Sequence, residues 1–342
     1  MPISWQQRIL DDPELRDRIP ENPRIRDFFK LGEMATAEAD KMVTYDILKL
    51  SGGEVTLYDD LVGYVEGLHD QYTAVQLLTN GLKLTREQIE KFAEMGNVFF
   101  QISLDGVTKE SNAGRTPNGR ITERILDNID AIVENGMGIE INCVLTKDNT
   151  ASFEEMLQRL KGSPNLVIIP RPVRGDPKAT LNFTQEQLAI FKMAVLDKYE
   201  DYADILPPKV YLERLVQMME TQAREAPCFV PFFVMGMDNY GTVETCSCGG
   251  DLPKLGNVFR NPEEISSTFK KFENYQVIND YHDCSYCMVQ YELINLYIEG
   301  AISREEMLRI PSFQYAGVLE NIDATKVALI EEGILVPALA GE

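Results

Sequence analysis

Tyr45-Asp46-Ile47-Leu48-Lys49-Leu50-Ser51-Gly52-Gly53-Glu54 is an apolar, strand-like run closed by a glycine turn with an acidic residue at its end. The same pattern recurs twice downstream. Thr73 to Leu78 is closed by Thr79-Asn80-Gly81, and Asn97 to Ile102 by Ser103-Leu104-Asp105-Gly106. Glycine suits such turns because it adopts positive φ without penalty, so each turn also reads as a plain strand-to-helix corner. Three such turns in succession, about one β/α unit apart, point further. In a parallel α/β barrel the C-terminal strand ends share one mouth, where ligands gather. The pattern therefore predicts a small-molecule site and favours an enzyme over a scaffold.

Working outward, helical runs alternate with the strands. A helix is expected over 35–43, then strand 45–50, helix 61–68 with Asp59 or Asp60 as cap, and strand 73–78. Thr85 with Gln88 forms a capping box for a helix reaching Met95. Strand 97–103, helix 120–135, strand 138–145, helix 152–161, strand 166–169 and helix 185–199 follow. Alternation of this kind specifies a parallel sheet with right-handed crossovers. Five strands are legible, and the series opens on a helix, as if a first strand were missing from or before 1–35. The expected fold class is α/β, a partial (β/α)6-type TIM barrel with a small cysteine-bearing β-hairpin and helix module behind it. The corresponding domains are an N-terminal segment 1–35, a barrel 36–205, a cysteine module 206–295 and a helical tail 296–342.

Composition narrows the partners. The chain has 342 residues, 44% hydrophobic and 25% charged, with a formal net charge of −21. So acidic a chain repels bulk nucleic acid and anionic membrane, and neither is an expected partner. The N-terminus carries no apolar core followed by a cleavage site, and no apolar run approaches a membrane span. A cytoplasmic location is expected, where six cysteines are not normally held as disulfides.

Five of those six lie between Cys228 and Cys287: Cys228, Cys246, Cys248, Cys284 and Cys287. Cys284-Ser285-Tyr286-Cys287 is a C-x2-C pair, and an Asn239-Tyr240-Gly241 hairpin tip lies between Cys228 and Cys246. Four soft thiolates suit zinc or an iron–sulfur cluster, and spacing alone leaves both open. Cys143, inside a strand, reads as a small buried hydrophobe.

These residues together resemble the radical S-adenosylmethionine (SAM) superfamily with a C-terminal twitch or SPASM-type auxiliary-cluster module. Gly52, Gly53 and Glu54 resemble the family's GGE turn, with Val55 where proline is commonest. Thr79-Asn80-Gly81 resembles its TNG strand end, Ser103-Leu104-Asp105-Gly106 its SLDG strand end, and Asn142 its adenosine-flanking strand; Arg115 stands where the family often has arginine. The resemblance implies SAM bound by Gly52, Gly53, Glu54, Asn80, Ser103, Asp105, Arg115 and Asn142. It implies an auxiliary [4Fe–4S] cluster on Cys228, Cys246, Cys284 and Cys287, with Cys248 a bystander or substitute. The implied activity is reductive cleavage of SAM and hydrogen abstraction from a peptide or small molecule, an oxidoreductase-type reaction served by a donor such as flavodoxin or ferredoxin. Asp105 also reads as a helix cap, and Arg115 as a solvated loop arginine. Arg171 and Arg174 after the last strand are further candidates for acidic groups of substrate or SAM.

One departure is large. The family's C-x3-C-x2-C is missing, since no cysteine precedes Cys143. The radical SAM [4Fe–4S] cluster is expected only if a segment absent from this sequence supplies its cysteines. Truncation of the chain, or degeneration of a family member that lost the radical chemistry, would also account for the gap. The alternative function is a non-catalytic binding or partner protein with a structural metal site.

Overall fold

In the computed structural model the described residues are 25–42, 44–173, 183–244, 246, 254–268 and 286–335. The chain enters as helix α1 (Ile25–Ala39), then alternates as the apolar spacing predicts: β1 (Ile47–Leu50), α2 (Leu61–Glu66), β2 (Ala74–Thr79), α3 (Arg86–Met95), β3 (Val98–Ser103), α4 (Gly119–Glu134), β4 (Ile139–Leu145), α5 (Phe153–Leu160) and β5 (Leu166–Pro172). The five strands form one sheet in the order β1-β2-β3-β4-β5, every pair parallel. Central strands of a parallel sheet are covered on both faces and so read as continuous apolar runs. β2 to β5 are accordingly buried almost throughout, with Val75, Leu77, Phe99, Phe100, Ile102, Ile139, Ile141 and Ile168 in the core. The sheet is a partial TIM barrel.

Local signals place the helices. Thr85 accepts from the Gln88 N–H at 3.2 Å while Gln88 Oε1 accepts from the Thr85 N–H at 3.1 Å, the expected capping box. Asn118 caps α4, and the chain leaves it at Asn135. Asp60 stands at the head of α2, but its carboxylate makes no capping bond. The expected strand 45–50 begins only at Ile47, where pairing with Ala74 starts, and the Tyr45 hydroxyl goes to Met235 Sδ at 3.1 Å. β5 runs past its expected end at 169. Pro170 is tolerated because β5 pairs only with β4 among the described residues, and its carbonyl takes the Tyr211 hydroxyl at 3.0 Å.

Beyond the barrel the helix expected over 185–199 is split. α6 (Gln185–Lys192) gives way to a π turn over Met193–Asp197, after which Lys198 meets Glu154 at 2.7 Å. α7 (Lys209–Thr221) follows. The hairpin comes next, as β6 (Gly236–Met237) and β7 (Thr242–Glu244), antiparallel around the Asn239-Tyr240-Gly241 tip. A third strand, β8 (Lys254–Asn257), was not expected and completes an antiparallel sheet β6-β7-β8, followed by α8 (Pro262–Thr268). The tail holds α9 (Glu292–Glu299), α10 (Arg304–Met307) and α11 (Val318–Glu331).

Two compact units result. One takes the described residues of Met1–Tyr45 and Pro231–Ile278, the other those of Asp46–Val230 and Asn279–Glu342. The first has its own core of Ala35, Ala39, Val243, Leu255, Val258 and Ile265. The second holds the parallel sheet and the helices after it. Within the second unit the tail seals the barrel. Buried Glu140 accepts from Gln76 Nε2 at 2.7 Å, from the Ser312 N–H at 3.0 Å, and from the Ser312 hydroxyl. No described helix is long and apolar enough to cross a membrane.

Candidate functional site

Register alone brings the candidate SAM residues into one row. Leu50 pairs with Leu77, Thr79 with Ile102, Ser103 with Asn142, and Asn142 with Ile169. Continuing the β2–β3 register by one residue sets Asn80 beside Ser103. Partners on adjacent strands lie about 4.8 Å apart. Asn80, Ser103 and Asn142 thus form a row across β2, β3 and β4, and Glu54 ties the Gly52-Gly53 turn to Asn80.

Two side chains of that row are uncommitted. Neither the Ser103 hydroxyl nor the Asn142 amide makes a hydrogen bond among the described residues, although Asn142 is only 7% exposed. Both groups are available to hydrogen-bond a ligand.

Glu54 has a different task. Its Oε1 accepts from the Thr56 N–H (3.1 Å), the Thr56 hydroxyl (2.7 Å) and the Thr79 hydroxyl (2.5 Å), and its Oε2 accepts from the Asn80 N–H (2.8 Å). The carboxylate therefore fastens the turn after β1 to the end of β2. It leaves the backbone of Gly52 and Gly53, exposed at φ of 122° and 50°, as the presenting surface. Those angles are open to glycine and rare for other residues.

Asp105 does the same for β3 and β4. Its Oδ1 accepts from the Val144 N–H at 2.9 Å and its Oδ2 pairs with Arg115 Nε at 2.9 Å. It caps no helix, and Arg115, an exposed loop residue, makes this pair. Two asparagines that the sequence reading passed over complete the loops. Asn112 Oδ1 accepts from the Asp105 N–H at 3.2 Å, and Asn149 Nδ2 donates to the carbonyls of Asp105 and Val144, both at 2.8 Å. Asn128 Nδ2 likewise donates to the Gly81 carbonyl at 2.7 Å, fixing the turn after β2. Asparagine is ordinary in loops and helices, so nothing in the linear sequence marks these three. Arg171 lies in β5, opposite Val144, while Arg174 lies outside the described residues.

Of the cysteines, Cys228 and Cys287 are half-buried in the barrel unit, on segments that Arg224 joins through the carbonyls of Pro227 and Cys287. Cys246 is buried in the other unit. Cys248 and Cys284 lie outside the described residues. Two soft thiols on joined segments are chemically suited to half of a four-thiolate set. The SAM-cleaving cluster fares otherwise. The first cysteine, Cys143, is wholly buried in β4, and burial pushes its thiol well above the usual range. The residues of this sequence do not fit that cluster.

In comparison with known proteins, the chain matches the Radical SAM superfamily over residues 18–160. It is 31% identical over 120 residues to mycofactocin maturase MftC of Mycobacterium tuberculosis, covering 34% of this chain and 30% of that protein. Neomycin C epimerase of Streptomyces fradiae is 31% identical over 183 residues, covering 52% of this chain and 54% of that protein. The matched stretches thus span less than two thirds of these relatives' lengths. Among solved structures, anSMEcpe with bound AdoMet superposes with a TM-score of 0.54 at 15% identity, over 83% of this chain and 88% of that one. SuiB of Streptococcus suis bound to S-adenosylmethionine gives 0.52 at 15% identity, over 78% and 63%. SuiB has also been solved bound to the precursor peptide SuiA. At these identities the likeness shows a shared fold.

Proposed function

We propose that this chain binds SAM across the ends of β1 to β4, and that Cys228, Cys246, Cys284 and Cys287 hold an auxiliary [4Fe–4S] cluster. Together with a C-x3-C-x2-C segment that this sequence does not contain, the site would serve radical modification of a peptide or small-molecule substrate. The observation that carries the reading is the row Asn80, Ser103, Asn142, with the Gly52-Gly53 turn tied to it by Glu54. SAM offers the matching chemistry: an amine and carboxylate for the glycine turn, and an adenosine with polar edges for Ser103 and Asn142. Glu54 and Asp105 keep the four strand ends in step so that these groups converge. An auxiliary cluster, when bound, relays an electron or anchors substrate, and a flavodoxin or ferredoxin is the fitting donor. The peptide bound by SuiB favours a peptide substrate here.

Ser103→Ala and Asn142→Ala are each expected to weaken SAM binding about tenfold, the worth of one hydrogen bond to a ligand at about 1.4 kcal/mol. Isothermal calorimetry measures it. Undiminished affinity in both variants would put SAM elsewhere.

A second reading has its own observation, the absence of any cysteine before Cys143. On that reading the chain binds SAM as a non-catalytic partner. Reduction with dithionite of a protein that carries a C-x3-C-x2-C upstream of Met34 separates the two: the enzyme forms 5′-deoxyadenosine and the binding protein does not. The residues present predict SAM binding without 5′-deoxyadenosine, and its formation by this 342-residue chain would overturn the account of the missing cysteines.

A further inference from the structure

One guanidinium ties together the two segments that carry Cys228 and Cys287. Arg224 Nε donates to the Ala226 carbonyl at 2.7 Å and Nη2 to the Pro227 carbonyl at 3.0 Å, immediately before Cys228. Its Nη1 donates to the carbonyl of Cys287 itself at 2.8 Å, 63 residues on. The fork is aimed by Glu292, which takes Nη2 at 2.6 Å. Both partners are buried, the Arg224 side chain 11% and Glu292 2% exposed.

Asn295 holds the other side of Cys228. Its Oδ1 accepts from the Phe229 N–H at 2.9 Å, while its Nδ2 donates to Glu292 Oε2 at 2.8 Å. The peptide is therefore fixed both before and after Cys228, by residues that share one carboxylate. Asn295 is fully buried.

Burying so much polarity is a poor route to stability. Apolar side chains of equal volume do as well or better, because charges lose their hydration on burial. The arrangement is better accounted for by what it holds, and that is two cysteines.

We propose that Arg224 is a positioning residue for a metal-binding thiolate pair, Cys228 and Cys287, with Glu292 and Asn295 fixing its fork. This rests on the reading of these cysteines as metal ligands. A guanidinium is suited to the task because it offers five donors in a rigid plane, which an ammonium cannot imitate.

The test uses the full chain, reconstituted anaerobically, with Arg224→Lys, Arg224→Met and Arg214→Met. Arg214 is the internal comparison, since it bonds the same Glu292 at 2.8 Å and Glu299 at 2.7 Å. Both Arg224 variants are expected to surrender metal at about tenfold lower chelator concentration, the usual effect of removing a partner behind a metal ligand. Their thiolate-to-metal absorption should shift as well, while Arg214→Met keeps the wild-type midpoint and spectrum. Equal losses in Arg214 and Arg224 variants, or an unchanged midpoint and spectrum in Arg224→Lys, overturn the assignment. SAM affinity and thermal unfolding report whether each variant folds; should Arg224→Met fail to, Arg224→Lys decides. A wild-type chain that holds no metal sinks the ligand reading itself and this inference with it. Metal held equally by wild type and Arg224→Lys sinks the inference alone.

Discussion

Alanine in place of Glu54 is expected to weaken SAM binding about a hundredfold. The carboxylate does not need to touch SAM for this. It is the acceptor that joins the turn after β1 to the Thr79 hydroxyl and the Asn80 N–H at the end of β2. Hydrogen bonds to a charged partner contribute about 1.5–3 kcal/mol each, and Glu54 is only half-buried, so the lower figure applies to each of the two. Together they come to about 3 kcal/mol, which the binding-competent turn loses in population and the ligand must restore. That converts to about two powers of ten in affinity. Glu54→Gln keeps an acceptor for Thr79 and should fall between wild type and alanine. Calorimetry gives the number, and wild-type affinity in Glu54→Ala would remove the turn from the site.

Alanine in place of Cys287 is expected to take the iron from about four per chain to almost none, four being the content of one cubane cluster. Three remaining thiolates leave one iron without its protein ligand, and such clusters are lost to chelators. SAM affinity should be untouched, because the candidate SAM residues are held by Glu54 and Asp105 and not by this pair. Iron and sulfide analysis with anaerobic absorption spectra checks the outcome. Full iron in Cys287→Ala rejects it as a ligand; one zinc and no iron in the wild type replaces the cluster with structural zinc. A parallel comparison of Cys246→Ala and Cys248→Ala decides which of that pair binds.

Much of the architecture was legible along the chain because its causes are local. Apolar runs such as Ala74–Thr79 and Val98–Ser103 declare strands buried on both faces, and Thr85 with Gln88 declares a helix start within four residues. The glycine turns after β1 to β3 likewise needed only their own sequence. Helix ends and the extra strand were harder. The π turn after Lys192 is not encoded in apolar spacing, and Lys254–Asn257 becomes a strand by pairing with Thr242–Glu244, with only a lysine, a leucine, a glycine and an asparagine to announce it.

The sequence by itself determined the parallel α/β fold, the order of the strand-end turns and the clustering of cysteines between 228 and 287, since each is written in neighbouring residues. The tertiary structure alone decided which groups meet: Glu54 with the Thr79 hydroxyl across 25 positions, Asp105 with the Val144 N–H across 39, Arg224 with the Cys287 carbonyl across 63, and Glu140 with the Ser312 hydroxyl across 172. Such contacts join residues of common type whose local surroundings carry no mark of the partner. They form only when parallel pairing brings the strand ends to one edge and the tail folds back beneath them, and only then does a bonded carboxylate become distinguishable from the open Ser103 and Asn142 beside it.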